Sequence, residues 1–464
     1  MSLTGLLDLL LDDAAGDPAL RSALEAARSD VRTGLDLTAP PGVRPFAIAA
    51  VAARAGRPVL AVTATGREAE ELAAALRDLL DRHAVGEFPS WETLPHERLS
   101  PRSDTVGRRL AVLRRLAHPD PADAEHGPVQ VVVAPVRAVL QPIVAGLGDL
   151  EPVAARPGDE VSLDDLVDRL VAAAYTRVDL VEKRGEFAVR GGILDVFPPT
   201  EEHPLRIEMW GDTVEEVRWF KVADQRSLEA SEEGLWAPPC RELLLTDEVR
   251  RRAAELAETY PGLGDVLGSL AEGIAVEGME SLAPVLVDEL VTLLDLLPAD
   301  TQVVVSDPER VRTRSHDLFA TSEEFLAASW ASAAAGAKVP LDLGAAAYRS
   351  LADLRAQAAA LGLSWWTLSP FLAEEPEEET SLVAARGVDG YRGDTARAIA
   401  DVKGWLGDGY RVVLLTEGHG SAERTVEVLG GEDIAARLDE SLDDAEHIWS
   451  TAIDLFFESR RAIA

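Results

Sequence analysis

The chain predicts an α/β protein: a parallel sheet covered by helices, interrupted by a small α+β unit and followed by a further small α/β unit. Three observations lead there. In the N-terminal part, apolar runs at Leu35–Thr38, Pro58–Ala64 and Val129–Pro135 alternate with helical stretches, the order of a parallel sheet. From Glu186 to Arg226 the pattern changes to short runs of alternating apolar and polar residues broken by turn residues, as in consecutive antiparallel strands. After Gly393, helix and strand patterns alternate again, with a helix over Gly393–Leu406, a strand over Arg411–Thr416 and a helix over Ser421–Leu429.

At 464 residues, 47% of them hydrophobic, the chain has material for more than one core. Its formal net charge of −36 disfavours direct DNA binding, because affinity for DNA comes mainly from neutralising phosphates with Lys and Arg. Lysine occurs only at Lys183, Lys221, Lys338 and Lys403. Cys240 is the only cysteine, so neither an intramolecular disulfide nor a multi-cysteine zinc site can form. The N-terminus has no basic leader, and no run of about twenty apolar residues could span a bilayer. A cytoplasmic, monomeric protein without bound metal is expected.

Taken in order, residues 1–30 read as two short helices. Leu35–Thr38 is a strand, Ala39–Gly42 a loop, Pro45–Ala55 a helix, Pro58–Ala64 a strand, and Gly66 opens another helix. Arg102, Arg108, Arg109, Arg114 and Arg115 form a basic run that either touches phosphate or, the preferred reading, is a solvated helix face. His83, His96 and His118 have no metal-ligand spacing. Ser162 opens a cap pattern. Behind it Leu163, Leu166, Val167, Leu170, Val171 and Ala174 follow helical spacing, predicting a helix that covers the apolar face of the following strands. In those strands Leu205, Ile207 and Met209 take one face, and Arg206, Glu208 and Trp210 the other. Phe187 and Val189 oppose Arg190 in the same way. An exposed Trp beside Arg is the chemistry of a protein-binding hot spot. In the competing arrangement Trp210 packs in a core and the arginines pair with Glu208 or Glu215. That would turn three apolar residues outward. Further on, Gln302–Pro308 reads as a strand and turn, Ala334–Ala347 as a linker, Leu363–Leu368 as a strand of the last unit, and Glu374–Glu379 as a solvated acidic loop.

The strings RGGILDVFPP (Arg190–Pro199), PLRIEMWGD (Pro204–Asp212) and DQR (Asp224–Arg226) resemble the UvrB-homology module of bacterial nucleotide excision repair. So do SWETLPHERLSP (Ser90–Pro101), YTRVDLV (Tyr175–Val181) and EGIAVEGMESLAPVL (Glu272–Leu286). Within that group the resemblance is strongest to the N-terminal part of the transcription-repair coupling factors, from about Val31 to Glu440. It implies a degenerate RecA-like domain in two parts, 1–149 and 237–345. Into it is inserted a UvrA-binding-like domain, 150–236, which DQR closes by fixing the domain junction. A small α/β domain, 346–464, follows. The family's UvrA contacts fall on Arg190, Arg206 and Trp210.

A RecA-like domain that binds nucleotide needs a glycine-rich loop with lysine and a Ser/Thr hydroxyl. The slot here holds APPGVRPF, with Pro41, Gly42 and Arg44; Arg44 is the one conceivable stand-in for lysine. Where the family places its acidic pair, this chain has Ser306 and Asp307, and Asp307-Pro308 reads preferentially as a helix cap. No catalytic residue, nucleotide or metal site is therefore expected, ATP and Mg belonging to the motor of the full-length family. The resemblance implies a non-catalytic adaptor that recruits UvrA to RNA polymerase stalled at DNA damage. RNA polymerase and duplex DNA would be reached only through domains not encoded here; the atypical end from Asp439 onward suggests a truncated or frameshifted product, or a remainder encoded elsewhere. The alternative is an ATP-dependent, UvrB-like DNA helicase or repair-nuclease loader. It requires a phosphate loop and a tyrosine-rich hairpin, and the chain has no tyrosine before Tyr175.

Overall fold

The computed structural model describes residues 3–11, 17–29, 34–94, 97, 99–123, 126–334, 347–372, 379–388, 390–439 and 453–458. The body is a seven-stranded parallel sheet. From edge to edge its strands are Glu379–Leu382, Leu35–Thr38, Ser364–Ser369, Gln302–Ser306, Val59–Thr63, Val131–Pro135 and Val85–Glu87. The central strands are near-continuous apolar runs because both faces are covered. On one face Leu7, Leu20, Ile48, Ala73 and Leu76 pack from the helices Thr4–Leu11, Pro18–Arg28, Arg44–Arg54 and Gly66–Leu79. On the other, Leu110, Val311 and Leu354 pack from Ser103–Ala117, Pro308–Ala334 and Leu351–Leu361.

The boundary expected at 345/346 does not hold. Ser364–Ser369 lies between Leu35–Thr38 and Gln302–Ser306, and Glu379–Leu382 extends the same sheet beyond Leu35–Thr38. A short apolar strand carries no local signal of which sheet it joins; here a pairing across more than three hundred positions decides it. The last unit is a separate three-stranded sheet, Val412–Glu417, Ile453–Glu458 and Arg437–Asp439, with the helices Thr395–Gly407 and His419–Gly430. Ile453–Glu458 is its central strand, so the terminal segment supplies a strand where the sequence suggested a departure from the pattern. The linker and the acidic loop fall almost entirely outside the described residues, as does most of the tail around that strand.

The inserted unit enters and leaves through paired antiparallel strands, Val153–Ala155 and Leu235–Ala237. Between them a six-stranded sheet runs in the order Ser227–Ala230, Thr213–Phe220, Leu205–Trp210, Ile193–Val196, Glu186–Arg190, Thr176–Arg177. The helix Leu163–Ala172 is capped by Ser162, whose Oγ accepts from the Asp165 N–H at 3.1 Å. Leu166 and Leu170 bury against Phe187, Leu194, Val196, Leu205, Ile207 and Val217. Val171, expected on the same stripe, is exposed. Asp224–Arg226 is a turn inside the insert, not its exit: Gln225 adopts φ +59°, and its amide donates to the Val222 carbonyl at 2.9 Å. The strand Ser227–Ala230 follows and adds to the same sheet.

Arg109 departs from the expected solvated face, on which Arg102 and Arg108 remain substantially exposed. Arg109 is 0% exposed; its Nε and Nη2 donate to the Glu242 carboxylate at 2.5 and 3.3 Å, and its Nη1 to the Pro89 carbonyl at 2.9 Å. Its guanidinium stacks 4.1 Å above Phe88. Glu242 also accepts from Trp91 Nε1 at 2.9 Å. The neighbours are engaged too: Arg108 with Glu87, Arg102 with Asp104, Arg114 with the Asp149 carbonyl and Arg115 with the Gly127 carbonyl. Periodicity could not show this, because the partner of Arg109 lies beyond the insert. Breaking a buried pair on one side leaves an uncompensated charge, so Arg109→Ala should lower stability by about 3–5 kcal/mol. The double variant Arg109→Met/Glu242→Leu should recover most of that, as measured by urea unfolding.

Candidate protein-docking face

One face of the antiparallel meander closes the insert's main core; the outer face is covered in part by a small cluster of Val181, Ala188, Phe197 and Phe220 and is open beyond it. Cross-strand register builds the outer face in rows. One row is Ala188, Asp195, Arg206 and Arg218; the next is Arg190, Ile193, Glu208 and Glu216. Trp210 stands one step further along its strand, opposite Thr213 at a hairpin whose Gly211 has φ +63°. A register shift beside Glu208 and Met209 leaves Glu215 as the extra residue and returns Val214 to the core. The alternation of Leu205–Trp210 itself is unbroken. Leu205 and Ile207 are buried, Met209 is partly buried against the same core, and Trp210 is 79% exposed.

Arg190, Arg206 and Trp210 thus share the outer side of the sheet. Arg190 is exposed and donates to the Asp179 carbonyl. Arg206 is different: its side chain is only 17% exposed and is held by Asp195, not by Glu208 or Glu215. Nε reaches Asp195 Oδ1 at 2.7 Å, Nη2 reaches Oδ2 at 2.9 Å, and Nη1 donates to the Gln225 carbonyl at 3.2 Å. Phe220 lies beneath the guanidinium at 4.7 Å. The hydrogen bonds and charge of Asp195 raise the Arg206 pKa against the effect of burial. Sequence reasoning missed Asp195 and Phe220. An acid opposing the apolar residues of the ILDV strand was visible, but its pairing with Arg206 required the register.

The nucleotide slot is closed by the protein's own side chains. Pro41–Val43 forms a single 3-10 turn, and Arg44 opens the next helix. Arg44 Nη1 donates to Ser306 Oγ at 3.2 Å, and Nη2 lies 3.8 Å from Asp307 Oδ2. Beside it Arg310 pairs with Glu68. Burial lowers the Arg44 pKa, with Asp307 and Glu68 opposing that shift. Asp307 has φ +60°, its carbonyl accepts from the Val311 N–H at 3.0 Å, and Pro308 begins the helix. Pro40 and Pro41 offer no N–H donors at this loop, and Arg44 Nε and Nη2 are buried without a hydrogen-bond partner, Asp307 balancing the charge at ion-pair distance only. Among the described residues no group of three or more His, Cys, Asp or Glu is placed to hold a metal, and no helix is long and apolar enough to cross a membrane.

Fold and site together define an α/β scaffold that presents an inserted antiparallel sheet with a solvent-facing Trp–Arg surface. Residues 153–238 match the family described as UvrB interaction domain, and these bounds coincide with the paired strands at the insert's stem. Over 453 residues the chain is 48% identical to the transcription-repair-coupling factor of Mycobacterium tuberculosis, covering 94% of this chain and 36% of that relative. It is 26% identical to the transcription-repair-coupling factor of Bacillus subtilis over 298 residues, 60% of this chain and 24% of the relative. It is 37% identical to UvrABC system protein B of Streptomyces avermitilis over 169 residues, 34% of this chain and 23% of the relative. The chain resembles the N-terminal part of transcription-repair-coupling factors and spans 36% of the length of the first of these relatives.

The closed slot generates a prediction. Neither the parent nor Arg44→Ala should show saturable, magnesium-dependent binding of a fluorescent ATP analogue at micromolar concentrations. The variant should lose about 1–3 kcal/mol of stability, because Asp307 is left unpaired. Micromolar nucleotide affinity in either protein would contradict the geometry of the slot.

Proposed function

We propose that this chain is a non-catalytic adaptor. The outer face of its inserted domain docks the nucleotide excision repair protein UvrA and so brings damage recognition to stalled RNA polymerase. The observation that carries this reading is Trp210, 79% exposed on the same outer side of the sheet as Arg190, in a domain that matches the UvrB interaction family. A large aromatic left in solvent on an otherwise satisfied sheet is costly unless a partner covers it, and Trp with Arg dominates interface hot spots. On this reading the chain reaches RNA polymerase and duplex DNA only through domains outside this segment. The chain acts as a monomer in the cytoplasm and uses no ATP or metal of its own. A UvrB-like helicase reading gains no support from the slot, and the similarity to UvrABC system protein B covers only 34% of the chain.

Trp210→Ala should weaken binding to purified UvrA by about 2 kcal/mol or more, roughly thirtyfold. Stability should move by no more than about 0.5 kcal/mol, since the site is exposed. Titration calorimetry and thermal melts read the two quantities; parental affinity in both Trp210→Ala and Arg190→Ala would sink the docking assignment. Arg206→Glu belongs in a different class. It sets a second acid against buried Asp195, so a loss of stability should accompany any loss of binding.

With a net charge of −36 and its arginine run engaged internally, the chain should bind duplex DNA only weakly. That binding should fade by about 0.2 M salt. Tight binding that survives this salt concentration in a filter assay would reveal a basic site elsewhere.

A further inference from the structure

We infer that Asp195 is a positioning residue for the docking face: it fixes the Arg206 guanidinium so that its remaining N–H groups meet an acidic side chain of the partner. The inference rests on the UvrA-docking reading and adds a residue to it. Asp195 is buried directly across from Arg206 in the antiparallel register, and both of its oxygens are used, at 2.7 and 2.9 Å. The guanidinium is confined on three sides: by that carboxylate, by the Gln225 carbonyl at 3.2 Å and by the Phe220 ring at 4.7 Å. Of the five N–H donors of an arginine, these contacts take one on Nε, one on Nη2 and one on Nη1. One donor on each of Nη1 and Nη2 is left to meet a partner carboxylate. An arginine already held in one rotamer loses little conformational freedom when a partner arrives. Asp195 therefore takes part in binding without touching the partner.

Charge alone predicts the opposite sign. Asp195 cancels the positive charge of Arg206, so removing it would strengthen attraction to an acidic partner. Positioning predicts that removing it weakens binding.

The test is a double-mutant cycle with purified UvrA, read by surface plasmon resonance, with thermal melts to confirm folding. Asp195→Asn keeps the volume and Asp195→Ala removes the contact. Each should raise Kd about tenfold, mainly through faster dissociation, the size expected for losing one charge-assisted hydrogen bond's worth of order. In an Arg206→Ala background neither substitution should weaken binding further. Unchanged or tighter binding by Asp195→Asn overturns the inference. So does an equal loss in the Arg206→Ala background, which would mean that Asp195 acts through the fold. Trp210→Ala, measured alongside, separates the two levels. If it weakens binding while the Asp195 variants do not, docking stands and positioning fails. If Trp210→Ala and Arg190→Ala both bind like the parent, docking itself fails.

Discussion

Burial of one face of the inserted meander governs the candidate site. The helix Leu163–Ala172 supplies Leu166 and Leu170, and Leu205, Ile207, Val214 and Val217 close against them. Each such side chain gains about 1.5–3 kcal/mol on leaving water. Turning the strand over to hide Trp210 would give up Leu205 and Ile207 together, more than one aromatic could return. Strand alternation then leaves Arg190, Arg206 and Trp210 on the outside. The bulge at Glu215 preserves this, since it restores Val214 to the core without disturbing the strand that carries Trp210.

Arginine does three different jobs here, and its surroundings choose among them. Arg109 ties the first part of the sheet domain to the segment that follows the insert, through a carboxylate that also accepts from Trp91. Such a pair adds little net stability but fixes which segments meet, and removing one member is costly. Arg44 sits at the carboxyl ends of the strands, where open α/β sheets receive ligands, and meets Ser306 and Asp307 instead. Arg206 lies between these extremes, held from within yet keeping donors at the surface. Each of these arginines takes an acid inward with it, so the exterior still carries the chain's net charge of −36. This favours a protein partner over a nucleic acid at the remaining exposed arginines.

The stem of the insert explains how one domain can carry another without merging with it. Val153–Ala155 and Leu235–Ala237 enter and leave side by side, and the insert also rests on the sheet domain where Ser103 Oγ donates to the Arg184 carbonyl and Pro199 packs against Gly107. Its core, around Phe187 and Ile207, is distinct from the cores on either side of the parallel sheet.

The sequence by itself determined whatever rests on local periodicity. It marked the strands from Leu35 to Pro135, the helix behind Ser162 and the meander with its two faces, because alternation and helical spacing are written within a few residues. It also showed that Pro41–Arg44 holds no lysine and that its proline offers no N–H, which are matters of composition. Tertiary structure alone decided which distant groups meet. It moved Ser364–Ser369 and Glu379–Leu382 into the first sheet, paired Arg109 with Glu242, set Arg44 against Asp307, and gave Arg206 to Asp195 instead of Glu208 or Glu215. Each of these depends on strand register or on chain closure across a long loop, and neither has a local signature. Burial then took Arg109 out of a face that read as solvated and into the core, leaving Arg102 and Arg108 outside.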